Sequence, residues 1–351
     1  MAENTKIEWT DHTFNPWEGC QKVGPGCDNC YAETRNARFS GGQAVNWGPG
    51  APRRHTSASN WRLPLKWNKQ AELQHSAWEG FKKAHPGLTD DELVAKGFIK
   101  PRRPRVFCAS LADVFDNAVD PQWRADLFGL ILKTPYLDWL LLTKRIGNVK
   151  TMLSELAHES DPDLSLLDMM PLPNLWIGAT VVNQEEADRD IPKLLAVPAK
   201  VRFLSMEPLL GPVDLERACD LAEEQVCKGT WKELADPYIC AAALRNGSVA
   251  MLDWVIVGGE SGPGARPMHP DWARNIRDQC TEAGTAFLFK QWGEWAPAKR
   301  EGNTLVIEGV APFTNTPELH TFADGQEMAR IGKKAAGRQL DGRTWDEFPP
   351  S

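Results

Sequence analysis

Short apolar runs recur along the chain beyond residue 104, and most are followed by a segment of helix-like composition. The runs cover residues 105–110, 139–143, 175–180, 201–205, 254–258 and 286–290. Strands that are buried on both faces of a parallel sheet read as continuous apolar runs, so this alternation predicts an α/β protein. With a further short strand at 5–9, it favours a full or partial (β/α) barrel of the TIM type over an open doubly wound sheet.

Two segments interrupt the alternation and are predicted to be insertions in the barrel. The first, at about 41–100, is rich in Gly, Pro, Ser and Trp as far as residue 69 and then becomes helical, with a capping box from Thr89 to Glu92. The second covers about 214–250 and begins with a helix. We therefore expect a barrel over 1–295 with helical and irregular insertions, and a C-terminal extension over 296–351 that packs on it.

Polar residues follow the apolar runs, and the carboxyl ends of parallel barrel strands meet at one rim. These residues are Ser110, Asp113, Lys144, Arg145, Thr180, Asn183, Ser205, Glu207, Glu260 and Lys290. The segment after the first predicted strand opens on the same rim. The sequence thus predicts one site that is built from many loops.

Composition restricts the classes of protein to consider. The chain has 351 residues, 42% of them hydrophobic and 25% charged, with a net charge of −7. This charge argues against a general nucleic-acid coat protein. The sequence shows no secretory apolar region and no run near the roughly 18 residues of a membrane span, so we expect a cytoplasmic protein without a membrane partner.

Cations and tryptophans are interleaved in the first insertion. The residues are Arg53, Arg54, His55, Trp61, Arg62, Lys66, Trp67 and Lys69, and a second basic cluster contains Lys100, Arg102, Arg103 and Arg105. Such a pattern suits a groove for a nucleic-acid strand with an unstacked base. It equally suits a solvated surface over packed tryptophans.

Three of the eight cysteines, Cys20, Cys27 and Cys30, fall within eleven residues of a Gly- and Pro-rich loop. A structural zinc ion normally takes four ligands, whereas three thiolates hold a [4Fe-4S] cluster with one iron open to a small molecule. The alternatives are a zinc site completed by His12 or His55, redox chemistry by Cys27 and Cys30 alone, and ordinary core cysteines.

Three more cysteines, Cys219, Cys227 and Cys240, lie in the second insertion at loose spacing. A second metal site there is a weaker alternative, because the spacing matches no tight ligand loop.

Several segments resemble the radical SAM enzymes, specifically the family of three-cysteine-motif proteins of phages and bacteria. They are Asn-Pro-Trp-Glu-Gly-Cys at 15–20, Cys-Asp-Asn-Cys-Tyr-Ala-Glu at 27–33, Leu-Leu-Leu-Thr-Lys-Arg at 140–145, Phe-Leu-Ser-Met-Glu-Pro-Leu-Leu-Gly-Pro at 203–212, and the segments 255–267 and 289–293. The cysteine spacing differs from the usual radical SAM pattern. It is Cys-x6-Cys-x2-Cys instead of Cys-x3-Cys-x2-Cys, with Asn29 before Cys30 and Tyr31 after it.

The resemblance implies a [4Fe-4S] cluster on the three cysteines, S-adenosylmethionine as cofactor, and an external electron donor such as a flavodoxin or ferredoxin. By rim position, the candidates for cofactor binding are Ser110, Asp113, Thr180, Asn183, Ser205 and Glu207. The candidates for substrate binding are Tyr31, Lys144, Arg145, Glu260, Arg266 and Lys290.

The resemblance to such phage proteins also implies that this chain takes part in DNA hypermodification. In that process a radical SAM isomerase rearranges an amino acid that is carried on the thymine methyl group. The expected partner is modified DNA or a nucleotide, with the base flipped out of any duplex. Two alternatives are another radical SAM enzyme of DNA modification or repair, such as a lyase, and a non-catalytic zinc-binding phage protein that binds DNA or a host partner.

Overall fold

The structure is a computed structural model, and it describes residues 5, 7–158, 161–227, 251–302, 304–307, 310 and 316–350. The strands are β1 (His12–Thr13), β2 (Trp17–Glu18), β3 (Arg54–His55), β4 (Arg105–Cys108), β5 (Asp138–Thr143), β6 (Ala157–His158), β7 (Asp161–Ser165), β8 (Leu175–Thr180), β9 (Val201–Met206), β10 (Trp254–Gly258), β11 (Ala286–Gln291), β12 (Trp295–Glu301), β13 (Thr304–Val306), β14 (Glu318–Thr321) and β15 (Glu327–Arg330). The helices are α1 (Tyr31–Phe39), α2 (Ala58–Trp61), α3 (Leu63–Ala84), α4 (Asp90–Ala95), α5 (Pro121–Leu132), α6 (Val149–Ser154), α7 (Gln184–Leu195), α8 (Leu215–Cys227), α9 (Pro270–Ala283) and α10 (Lys333–Ala336).

A seven-stranded sheet forms the centre of the molecule, in the order β1-β4-β5-β8-β9-β10-β11. Every neighbouring pair is parallel. Six of these strands coincide with the six apolar runs, which confirms the predicted parallel α/β architecture. Within the described residues β1 and β11 are the end strands of this sheet and are not paired with each other, so the sheet is a curled half-barrel and not a closed barrel.

Trp9 shows how strongly the sheet curls. Its ring centroid lies 4.6 Å from that of Phe107 in β4 and 6.1 Å from that of Trp254 in β10. Four strand spacings separate β4 from β10, which is about 19 Å in a flat sheet. The strands therefore wrap around Trp9, which fills the concave face.

The predicted first strand at 5–9 is wrong. Glu8 and Trp9 form a turn, and the edge strand is the two-residue β1. The aromatic and apolar residues that suggested a strand belong instead to the plug inside the half-barrel.

The two faces of the sheet carry alternate residues, as the period of a strand requires. Leu140 and Trp176 point to the inner cluster around Trp9. Their neighbours Leu141 and Ile177 face the outer cluster, which also contains the apolar sides of α5, α7 and α9. Burial on both faces explains why the runs are continuously apolar.

The first insertion is more helical than the sequence suggested. Helix α3 already begins at Leu63, within the segment predicted to be irregular, and it buries Trp67, Ala71 and Trp78 on one face. The capping box of Thr89 and Glu92 at the start of α4 is confirmed.

The C-terminal segment forms a separate antiparallel sheet in the order β13-β12-β15-β14. The last residues then return to the large sheet, where Trp345 O accepts a hydrogen bond from Phe289 N, and Glu347 O accepts one from Trp254 Nε1. In the described part of the chain, no helix combines the length and apolar character that crossing a bilayer requires.

Candidate functional site

A cavity of about 600 Å³ opens at the carboxyl ends of the parallel strands. Three of its lining residues are Cys20, Cys27 and Cys30. Ten of the twelve rim residues selected from the sequence also line it, namely Tyr31, Ser110, Asp113, Lys144, Arg145, Thr180, Ser205, Glu207, Glu260 and Lys290. Trp9 and Phe107 of the inner cluster contribute apolar surface to the same cavity.

The cysteine loop is held close to the first insertion. Gly19 has a φ of +115°, and a Cβ atom at this position would lie 2.6 Å from Asn46 O. Only glycine tolerates both the left-handed backbone and this approach. Cys27 is then buried in a 3-10 turn, and Cys30 precedes α1.

The three sulfur atoms are not gathered as they would be around a single ion. Within the described residues, the only three-residue group of potential ligand atoms lying within 4.8 Å of one another is His269, Asp271 and Asp324. At least one pair of the cysteine sulfurs is therefore farther apart than this. Zn–S bonds of about 2.3 Å place tetrahedral ligands about 4 Å apart. A four-iron cluster binds each thiolate through a different iron, so its ligands stand farther apart than those of a single zinc ion, and a separation above 4.8 Å does not conflict with such a group.

The two histidines proposed as zinc ligands are packed elsewhere. His12 stacks on Trp67 with ring centroids 4.2 Å apart, and His55 stacks on Trp61 at 5.0 Å. Neither joins the cysteines in a group of three within 4.8 Å among the described residues.

Arg145 holds one side of the cysteine loop. Its Nη1 donates to Cys20 Sγ at 3.5 Å and to Asp113 Oδ2 at 3.1 Å, and its Nη2 donates to Gln21 O at 2.8 Å. Asp113 also accepts from Thr143 Oγ1 at 2.7 Å and from Lys144 N at 3.0 Å. The carboxylate and the guanidinium thus orient the loop as a buried pair.

The surroundings of the Cys20 thiol shift its pKa. Burial raises the pKa of Cys20 and the carboxylate of Asp113 acts in the same direction, while Arg145 opposes them. Since a metal binds the thiolate, metal binding at Cys20 would release a proton.

Arg266 holds the other side of the loop. It donates to both carboxylate oxygens of Glu260 at 2.7 and 2.8 Å, to Pro25 O at 2.9 Å and to Asp28 Oδ2 at 3.0 Å. Burial alone would raise the pKa of Glu260, but the hydrogen bonds from Arg266 hold it below its ordinary value. Arg266 does not line the cavity. It connects the end of β10 to the loop, a positioning contact that sequence alone did not reveal.

The wall opposite the loop carries both signs of charge. Lys290 Nζ lies 2.8 Å from Glu207 Oε1, and Ser205 Oγ donates to Glu207 Oε2 at 3.1 Å. Burial lowers the pKa of Lys290, but Glu207 more than offsets this, so the pKa lies above its ordinary value. Lys144 Nζ donates to Thr180 Oγ1 at 3.2 Å.

Besides Arg266, two residues lie differently from what the sequence indicated. Asn183 does not line the cavity, and its side chain caps α7 by accepting from Glu186 N at 2.9 Å. The signal for this was present, because Asn followed three residues later by Glu is a helix-start pattern. Gln291, next to Lys290 at the end of β11, lines the cavity and was not selected.

Several of the basic and aromatic residues in the first insertion are structural. Arg53 forms a buried ion pair with Asp116 at 2.8 Å, and Trp67 is 1% exposed. Trp67 is therefore not available to stack on a base. Arg62, Lys66 and Lys69 remain exposed on or beside α3.

The second basic cluster also has acidic partners. Lys100 pairs with Asp90, Arg102 with Asp11 and Arg103 with Asp138. In the second insertion Cys219 is buried in the core, whereas the side chain of Cys227 and the whole of Cys240 lie outside the described residues.

Fold and site together define an α/β half-barrel protein with a thiol-lined cavity at the carboxyl ends of its strands. Residues 4–349 match the model of a family described as "Protein of unknown function (DUF5131)", and the chain belongs to this family. Neither a curated protein nor a solved structure is detectably similar to the chain.

Proposed function

We propose that this protein is a radical SAM enzyme in which Cys20, Cys27 and Cys30 hold a [4Fe-4S] cluster. The observation that carries the proposal is that the three cysteines line one cavity together with the polar ends of the parallel strands. Three thiolates leave one iron of such a cluster open to S-adenosylmethionine. When bound, the two groups supply one-electron chemistry that removes hydrogen from an unactivated carbon.

The charged residues of the cavity suit the methionine end of S-adenosylmethionine, which carries an ammonium and a carboxylate. Glu207 has two side-chain partners, Lys290 and Ser205, and its carboxylate keeps lone pairs that can accept from the ammonium, while Lys144 is a cation for the carboxylate. Asp113 is a weaker candidate than the sequence indicated, because it already accepts hydrogen bonds from Thr143, Lys144 and Arg145. Arg145 and Arg266 keep the cysteine loop in place from its two sides.

The proposed substrate is an aminoacyl-modified thymidine in phage DNA, which the enzyme isomerises by moving a bond from nitrogen to carbon. An isomerisation changes neither the atoms nor the electrons of the substrate. Trp9 and Phe107 give part of the cavity wall an apolar character. An external flavodoxin or ferredoxin would supply the electron.

The first test is to purify the protein without oxygen, record its absorbance, and count iron, sulfide and zinc. We expect brown protein with about four irons per chain, and colourless protein after Cys20, Cys27 and Cys30 are changed to Ala. Cys280→Ala is the matched control, because Cys280 is buried in α9 away from the loop and its loss should leave the iron in place. Zinc without iron would overturn the proposal.

The second test uses the iron-loaded protein and an oligonucleotide that carries an aminoacyl-thymidine. Cleavage of S-adenosylmethionine with a rearranged nucleoside in the digested product is the expected result. Cleavage that never alters this DNA would retain the cofactor chemistry and refute the substrate.

A further inference from the structure

Gln291 has an unsatisfied hydrogen-bond acceptor at the cavity. The residue ends β11, is 8% exposed, and lines the cavity. Its Nε2 donates to Ser261 Oγ at 3.2 Å, but its Oε1 is buried without a hydrogen-bond partner. A buried acceptor that lacks a partner destabilises the folded chain, so its retention calls for a reason such as a ligand that satisfies it.

Trp9 provides a second observation of the same kind. Its indole Nε1 is buried without an acceptor, and Trp9 also lines the cavity. Among the described residues that line the cavity, Trp9 and Gln291 are the two with such unpartnered side-chain atoms. Trp9 Nε1 is a donor and Gln291 Oε1 is an acceptor. A ligand that satisfies both therefore carries an acceptor for Trp9 and an N–H or O–H group for Gln291.

The carboxylates beside Gln291 already have partners. Glu207 is paired with Lys290, and Glu260 is paired with Arg266. Beside these two paired carboxylates, Gln291 Oε1 is the side-chain acceptor without any partner. A carboxamide presents a C=O and an N–H side by side, and the group that matches it is a ring N–H next to a carbonyl.

We propose that Gln291 binds the base of the substrate by accepting a hydrogen bond from the ring N–H of a thymine-type imide. This inference rests on the proposed function for the identity of the base, and it adds the residue that selects that base. A cytosine-type ring carries an acceptor at the corresponding nitrogen, which would face the Oε1 atom acceptor to acceptor. Gln291 is thus a specificity-determining residue for pyrimidines with an N–H at this position.

The test compares the binding of thymidine and N3-methylthymidine, in which a methyl group replaces the ring N–H, by calorimetry on the full chain. We expect wild-type protein to prefer thymidine by roughly ten-fold or more, as one hydrogen bond to a buried group implies. Gln291→Met should abolish the preference, while Gln291→Glu, which keeps an acceptor, should retain it. Without ligand, Gln291→Met should unfold at the same temperature as wild type or higher, because it removes an unsatisfied group.

Two results would overturn the inference. One is wild-type protein that binds neither nucleoside or does not distinguish them. The other is a Gln291→Met variant that unfolds earlier and still prefers thymidine, since Gln291 would then be structural. Nucleoside binding and iron content are separate measurements. An iron-loaded, cofactor-cleaving protein without this preference refutes only the inference, and a thymidine-selective protein without iron refutes only the proposed chemistry.

Discussion

Replacing Arg266 by Ala tests how the cysteine loop is held. The variant loses the side-chain hydrogen bonds to Glu260, to Pro25 O and to Asp28. The Asp28 carboxylate is 58% exposed, so that contact contributes little. Glu260 is 6% exposed and loses its main counter-charge. The expected loss of stability therefore comes mainly from the Glu260 pair.

The magnitude follows from the burial of this pair. Breaking a fully buried ion pair by removing one partner costs about 3–5 kcal/mol. The Arg266 side chain is 34% exposed, which screens the interaction, so we expect the free energy of unfolding to fall by about 2–4 kcal/mol. The pKa of Glu260 is held below its ordinary value, so this stabilisation is present above about pH 4.5 and is lost as the pH falls through the folded pKa.

The assay is urea denaturation of Arg266→Ala, Glu260→Gln and the double variant at pH 7. A double-mutant cycle should give a coupling energy of about 1–2 kcal/mol, because removing both partners leaves no unpaired charge. Arg300→Ala is the control, since its pair with Glu327 is half exposed and is worth less than about 1 kcal/mol. If Arg266→Ala costs no more than this control, or the two changes are additive, the loop is held in another way.

Two further changes test features of the fold. Burial raises the pKa of Asp138 to about 6, so the folded chain keeps a proton that the unfolded chain loses near pH 4, and stability falls as the pH rises between these values. Asp138→Asn should remove this fall and stabilise the protein at pH 7 by up to about 3 kcal/mol; an unchanged pH profile of unfolding would contradict the assignment. Gly19→Ala should cost about 2 kcal/mol or more in the free energy of unfolding, because of its positive φ and the 2.6 Å approach to Asn46 O. Gly41→Ala, where φ is also positive but the space is open, should cost about 1 kcal/mol, and equal losses would show that the close approach is unimportant.

The sheet was predictable because its signal is local. The segment of β8 is buried at every position, and only an apolar run satisfies that environment. The prediction of a strand at 5–9, which contains Trp9, was wrong for the opposite reason. The burial of Trp9 depends on strands nearly a hundred or more residues away, and no pattern within residues 5–9 distinguishes a plug from a strand. The C-terminal antiparallel sheet has short, half-exposed strands, which leave little periodicity to read.

In the site, the sequence predicted which positions meet at the rim but not which partners they choose. Strand ends are fixed by topology, so Glu207 and Lys290 could be selected before their contact was known. The role of Arg266 depends on a loop more than 230 residues away. From the sequence, its charge does not distinguish a side chain that positions this loop from one that binds a substrate. Gln291 lies in the segment 289–293 that carries the resemblance, but its neutral side chain does not distinguish it as a site residue, and its unpartnered acceptor is visible only in the structure.

The position of Trp9 also bears on how the chain is made. Its inner-face partner Trp254 is translated 245 residues later, which takes roughly 10–50 seconds at ordinary rates of synthesis. Throughout that interval the strands that will bury Trp9 are incomplete, so the emerging chain exposes this tryptophan. We expect the nascent protein to need a chaperone on the ribosome, and we expect fragments that end before β10 to aggregate when they are expressed alone.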